Sequence, residues 1–230
     1  MPRIKILFII SVIIFIGAYS LSAYDVPGWF PFNEKNALKG WEEKIFRNRV
    51  LYVIEAKPNH DGYLSATSHK ACSGLVYRLK FNATKLPMIS WQWTVSEFPN
   101  KKKENQNPNE HYKPGWVEQD DYAARVYVIF PSWNFMNIKS LEYVWDDDLP
   151  KGTIVTSPFS SNIKLFVVES GKENVNKWVL EERNIFEDYQ KAFGRAGNIG
   201  VGAIALMTDS DNSISTAEAS YKDLKVGYTK

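Results

Sequence analysis

Cysteine is almost missing from the 230-residue chain, since Cys72 is the only one. An intramolecular disulfide is therefore excluded. Histidine is scarce too, with His60, His69 and His111 as the full set. A thiol nucleophile needs a base. His69 is near in sequence but lies in a polar stretch with no third orienting residue, so Cys72 reads as a small buried hydrophobe. No G-x-G-x-x-G or G-x-x-x-x-G-K-[ST] motif opens a helix, which leaves a nucleotide-binding βαβ unit unsupported. Charge of one sign is lacking as well. The net charge is +2, too small to advertise a nucleic-acid partner. The triplet Lys101, Lys102 and Lys103 sits among Asn and Pro and reads as a solvated loop tip.

Long apolar runs are also missing, with one exception. Arg3 and Lys5 precede an apolar run from Ile6 to Ile16, and small residues follow at Gly17, Ala18, Ser20, Ser22 and Ala23. That order is a secretory signal over residues 1–23, too short for a comfortable membrane span of about 20 residues. The expectation is export, periplasmic or secreted, with no stable span after cleavage; an uncleaved anchor is the alternative. No cysteine lies near the cut, so a lipid anchor is excluded. Residues 24–230 then suit one domain.

What the chain has in quantity is aromatic residues, with 8 Trp, 12 Tyr and 13 Phe. Such residues favour pleated, half-buried surfaces. Strand-like segments recur between turn residues at Val50–Ala56, Gly62–Thr67, Gly74–Asn82, Met88–Val95, Ala123–Phe130, Lys139–Trp145, Lys164–Glu169, Gly200–Thr208 and Ala217–Val226. Together they predict an all-β, antiparallel β-sandwich. Residues 25–44 are expected as an irregular lead-in and 96–119 as a long polar loop. One short helix is predicted from Val179 to Phe193, stopped by Gly194, with Ile185, Tyr189 and Phe193 along one face.

Period-two patterning locates the candidate binding residues. Ile89, Trp91, Trp93 and Val95 share one face of their strand and are expected in the core, leaving Ser90, Gln92 and Thr94 opposite. Ala124, Val126, Val128 and Phe130 form a second apolar face, with Ala123, Arg125 and Tyr127 opposite. A mid-strand Arg needs a carboxylate, from Asp120, Asp121, Glu142 or Asp188. A structural ion pair and a ligand-binding face explain it equally well. Tyr143 and Trp145 share a side of their strand, and Asp146, Asp147 and Asp148 follow, expected as solvated loop acids. Arg183 and Glu187 stand at i, i+4. The Asp209-x-Asp211-Asn212 turn is a candidate calcium site. The EF-hand pattern does not continue, so a plain polar turn is the alternative.

The series Ser90-Trp91-Gln92-Trp93, Asp120 to Val128, Tyr143-Val144-Trp145, Arg183 to Tyr189 and Met207 to Asn212 resembles domain-of-unknown-function family 3047, exported bacterial proteins. The resemblance covers roughly residues 29 to 228. It implies a bacterial envelope location and a jelly-roll-like sandwich similar to carbohydrate-binding modules, and it brings no catalytic residue. The expected function is non-catalytic binding of a polysaccharide or other envelope component. The candidate contacts are Gln92, Asp121, Arg125, Tyr127, Tyr143, Trp145, Arg183 and Asp188. The rivals are a polysaccharide-active enzyme, a glycoside hydrolase or lyase using Arg125 with Asp121, Asp188 or Tyr189, and a purely structural envelope protein whose polar motif residues pair with one another inside the sandwich.

Overall fold

The structure, a computed structural model, describes residues 28–57, 61–101 and 120–230. In chain order the strands are β1 (Gly28–Phe30), β2 (Trp41–Arg47), β3 (Leu51–Glu55), β4 (Tyr63–His69), β5 (Cys72–Asn82), β6 (Met88–Glu97) and β7 (Ala124–Phe130). They continue as β8 (Lys139–Asp146), β9 (Ile154–Thr156), β10 (Ile163–Ser170) and β11 (Val179–Asn184), then helix α1 (Ile185–Phe193), β12 (Gly200–Asp209) and β13 (Thr216–Tyr228). The signal segment, His60, His111, Lys102 and Lys103 lie outside the described residues.

Two sheets face each other, as the alternation predicts. The first runs β11-β6-β13-β4-β3 with β1 also on β13; the second runs β2-β5-β12-β7-β8-β10-β9. The ladders are antiparallel except for β8 with β10, which run parallel. The protein is thus a β-sandwich with one helix. Between the sheets lie Ile89, Trp91, Trp93 and Val95 from one side and Val126, Val128, Leu141, Tyr143, Trp145, Ile204 and Leu206 from the other. Trp91 meets Trp93 edge to face at 5.3 Å, and Trp93 lies 6.1 Å from Trp145. Aromatic burial of this kind is the largest apolar contribution a sandwich core can have.

All nine predicted strands are present, and four were not foreseen. β2 emerges from the expected irregular lead-in and pairs with β5. β9 is a short edge strand on β10. β1 is three residues long, and so short a piece has no period to read. The fourth shortens the predicted helix. Residues 179–184 form β11 on the edge of β6, and α1 begins only at Ile185. Asn184 sets that boundary, because its side chain accepts the Glu187 N–H as an N-cap. The far end is as expected: Gly194 closes the helix at φ 84°, a conformation that favours glycine. Ile185 is buried in the core, with Tyr189 and Phe193 packed on it.

Candidate functional site on the outer face of the second sheet

Arg125 points away from the core on β7 and is only 2% exposed. Its Nε and Nη2 donate to the two carboxylate oxygens of Asp209 at 3.0 and 2.8 Å. Nη1 lies 3.4 Å from Glu142 and 3.6 Å from Asp120, and it donates to Tyr127 Oη at 3.3 Å. The Tyr122 ring stacks 4.5 Å from the guanidinium. Desolvation works against the charge on Arg125, and Asp209 above all outweighs it and raises the group further. One guanidinium shared among three carboxylates leaves Glu142 poorly compensated. Burial, with Asp120 adding to it and Arg125 opposing it, pushes Glu142 up to about 8. Arg125 is therefore held inside as a structural ion cluster.

The other predicted contacts are scattered. Gln92 is on the outside of the first sheet, bonded to Asp223 at 3.0 Å. Tyr143 and Trp145 are in the core, so they share no surface with Arg125 or Gln92. Asp121 is buried and accepts the N–H groups of Asn212 and Ser213, pinning the following turn. Asp188 is claimed by Arg183 in a two-pronged pair at 2.9 and 2.7 Å and by Tyr143 Oη at 3.1 Å. Arg183 thus pairs with Asp188 rather than with Glu187, which instead caps the helix beside Asn184. Of the predicted set, Arg125 and Tyr127 are in contact with each other, as are Tyr143, Arg183 and Asp188.

The acidic turns tell a similar story. Cys72, Asp209 and Asp211 bring one ligand atom each within 4.8 Å of one another. Asp209, however, holds Arg125 with both oxygens and also accepts the Tyr122 N–H. A hard cation there would have to displace a guanidinium, and a thiol is a poor calcium ligand. The Asn212 side-chain N–H group has no hydrogen-bond partner among the described residues, and its backbone N–H donates to Asp121. This donor set does not suit calcium. Asp146 is not solvated either: it accepts the Asp148 and Leu149 N–H groups and pairs with Lys101 at 2.9 Å. Lys101 is correspondingly 10% exposed, unlike a loop-tip lysine. Burial opposes ionisation of Asp146, but Lys101 and the two N–H groups hold its carboxyl below the usual range. Cys72 is buried in an apolar cluster, while His69 is exposed against Thr216.

Beside the Arg125 cluster the same outer face carries an open hollow. Phe46, Val76, Ala205, Tyr127, Ile129 and Ile163 line it, with Lys44 and Lys139 at its margins. Those residues come from β2, β5, β12, β7 and β10, with Lys139 on β8, which are neighbours in the sheet. The hollow is shallow, with about 40 Å³ of free volume, and most of its lining residues are buried. Its floor is apolar because the outward positions of β5, β7 and β12 are themselves apolar, with Val76, Tyr127, Ile129, Ala205 and Met207 forming a cluster distinct from the core.

Lys139 also borders a second hollow, of about 390 Å³. Ser132, Asn137, Asn162 and Tyr189 line it with Phe130 and Pro131. Next along the β7–β8 loop stands Trp133, 98% exposed, followed by exposed Phe135 and Met136. The loop is anchored at both ends. Asn134 accepts the Met136 N–H, and the Asn162 amide donates to the Met136 carbonyl at 2.7 Å. Gly202 on β12 lets Pro131 close in, since an added Cβ would fall 2.8 Å from its Cγ. None of these loop residues was singled out from the sequence. The cue was there in Pro131-Ser132-Trp133-Asn134-Phe135-Met136-Asn137, where aromatics sit in a turn-rich stretch rather than in a strand.

The chain belongs to the family described as protein of unknown function (DUF3047), whose model matches residues 39–225. No curated protein matches it. Among solved structures it is similar to the family 11 carbohydrate-binding module of a Clostridium thermocellum cellulosomal cellulase. That match has 12% identity and a TM-score of 0.44 over 89% of this chain and 97% of that one. A xylan-binding domain from Paenibacillus barcinonensis is similar at 11% identity and a TM-score of 0.40, over 92% and 100%. So is the xyloglucanase domain of a Sinorhizobium fredii type three effector, bound to cellobiose, at 12% and 0.44 over 90% and 97%. Likeness this loose transfers no binding or catalytic residue. Among the described residues no helix is long and apolar enough to cross a membrane.

Proposed function

We propose that the protein is a non-catalytic carbohydrate-binding protein of the bacterial periplasm or exterior, exported by the signal at residues 1–23. The ligand lies in the polar pocket at the start of β8, next to the loop that carries Trp133. The observation that carries this reading is the pocket of about 390 Å³ lined by Ser132, Asn137, Asn162 and Tyr189, with 98% exposed Trp133 on the loop that borders it. A sugar chain has apolar ring faces and polar edges, so it needs apolar and aromatic surface interleaved with hydrogen-bonding side chains. Tyr189 and the neighbouring exposed Trp133 supply the first, and Ser132, Asn137 and Asn162 the second.

The reading is binding rather than hydrolysis because hydrolysis needs two carboxyls flanking the scissile bond. Among the described residues neither hollow is lined by Asp or Glu. The three carboxylates around Arg125 are buried in its ion cluster instead. The test is affinity electrophoresis of the exported protein against a panel of polysaccharides, with Trp133→Ala as the variant. Retardation by at least one polysaccharide, reduced in Trp133→Ala at unchanged Tm, is the expected result. Free migration through every gel, or reducing ends released from any of them, defeats the reading.

A further inference from the structure

Lys139 lines the pocket, and its ammonium is held by neutral and aromatic company. Nζ donates to Tyr189 Oη at 3.1 Å and lies 4.8 Å from the Phe193 ring centroid and 5.2 Å from that of Tyr189. The residue is only partly exposed, and among the described residues no carboxylate forms a salt bridge with it. Lys101, Arg183 and Lys44 are matched by Asp146, Asp188 and Glu42, whereas Lys139, like Lys164 with Thr156, has a neutral hydroxyl as its partner. A lysine drawn out of bulk water toward neutral and aromatic partners keeps an unspent attraction for an anion. The pocket around it adds Ser132, Asn137 and Asn162 and no acid, so nothing there repels a negative ligand.

From this cation without a counter-ion we infer that the pocket is an anion subsite, and that the carbohydrate bound is acidic, with a sugar carboxylate paired to Lys139. The inference rests on the carbohydrate-binding reading and narrows it to a substrate class. The carboxylate accepts from Nζ on the pocket side. The pocket is large enough for a sugar ring, since ligand sites run upward from about 300 Å³. Tyr189 and Phe193 fix the ammonium's position without neutralising it, so α1 acts through Lys139 as a positioning element. A charge pair at such a partly open site weakens with salt.

The experiment is isothermal titration calorimetry of the exported protein with polygalacturonate and alginate as acidic probes and xylan and mixed-linked glucan as neutral ones, at low and high sodium chloride. Wild-type protein should bind an acidic probe more tightly than either neutral one, and salt should weaken that binding alone. Lys139→Met keeps the apolar stem against both rings. It should lose about tenfold in affinity for the acidic probe, or ~1.4 kcal/mol, and clearly less than that for a neutral one. Lys139→Arg should retain most of the acidic affinity. Unchanged acidic binding in Lys139→Met overturns the inference, and so does a wild-type preference for neutral glycans, which leaves carbohydrate binding standing. Failure to bind any of the four, with melting curves intact, sinks both together.

Discussion

Arg125 shows how far a single residue could be read and where the reading stopped. A mid-strand arginine announces that it needs an anion, and of the candidates Asp120, Asp121, Glu142 and Asp188 only Asp120 and Glu142 pair with it. Asp209 was not among them, because it comes from β12, 84 positions away. Nothing in a one-dimensional pattern states that β12 and β7 are neighbours. Truncating Arg125 leaves Asp209 buried without its partner, so Arg125→Ala should cost roughly 3–5 kcal/mol of stability. A denaturant melt checks this, and a variant as stable as wild type would show that the cluster is not structural. Glu142 adds a pH dependence. Its native form keeps a proton up to about 8 while the ordinary value is 4.5, so native protein binds more protons than unfolded protein in between. That stabilisation is whole below about 4.5 and is lost as pH rises through 8. Burial raises Glu181 in the same sense, to about 7. Tm should therefore fall between pH 5 and pH 9, and Glu142→Gln should flatten the decline. A Tm that climbs over that range contradicts the assignment. Because Asp209 is spent on Arg125, chelation with EDTA should leave Tm unchanged; a drop of several degrees would restore the calcium reading.

At the scale of elements, the segment 179–193 separates pattern from context. Ile185, Tyr189 and Phe193 do share a helix face, and Gly194 does end the helix. What precedes Asn184 is a strand because the edge of β6 offers a ladder, with Glu181 opposite Trp91 and Arg183 opposite Ile89. Tertiary pairing overrode a helical extension that propensity would have permitted. Arg183 then ties that strand to α1 through Asp188, which is buried, so Arg183→Ala should lower stability by roughly 2 kcal/mol and loosen the helix first. Hydrogen exchange of α1 amides reads this directly, and unchanged protection would refute it. The β7–β8 loop makes the opposite point. Its exposed aromatics and its pocket were visible as composition, but their role depends on Gly202 admitting Pro131. Gly202→Ala should push the loop aside and weaken polysaccharide binding with little loss of fold. Binding equal to wild type would mean that the loop is not part of the site.

For the whole molecule, alternation was enough to predict two layers, since each strand declares which side is apolar. It could not say which outer face binds. Gln92, Arg125, Tyr143 and Trp145 were grouped on one face, yet they divide among the outside of the first sheet, the outside of the second and the core between them. Strand order decides that, and strand order comes from long-range pairing that no local spacing encodes. The hollow itself is legible only once β2, β5, β12, β7, β8 and β10 lie side by side. The most direct measurement is an NMR titration of the exported protein with a polysaccharide fragment that it retards on. Shifts should fall on Ser132, Asn137, Asn162, Tyr189 and the Trp133 indole, tracing the pocket and the loop beside it. Shifts confined to Gln92 and its neighbours on the opposite sheet would contradict the account.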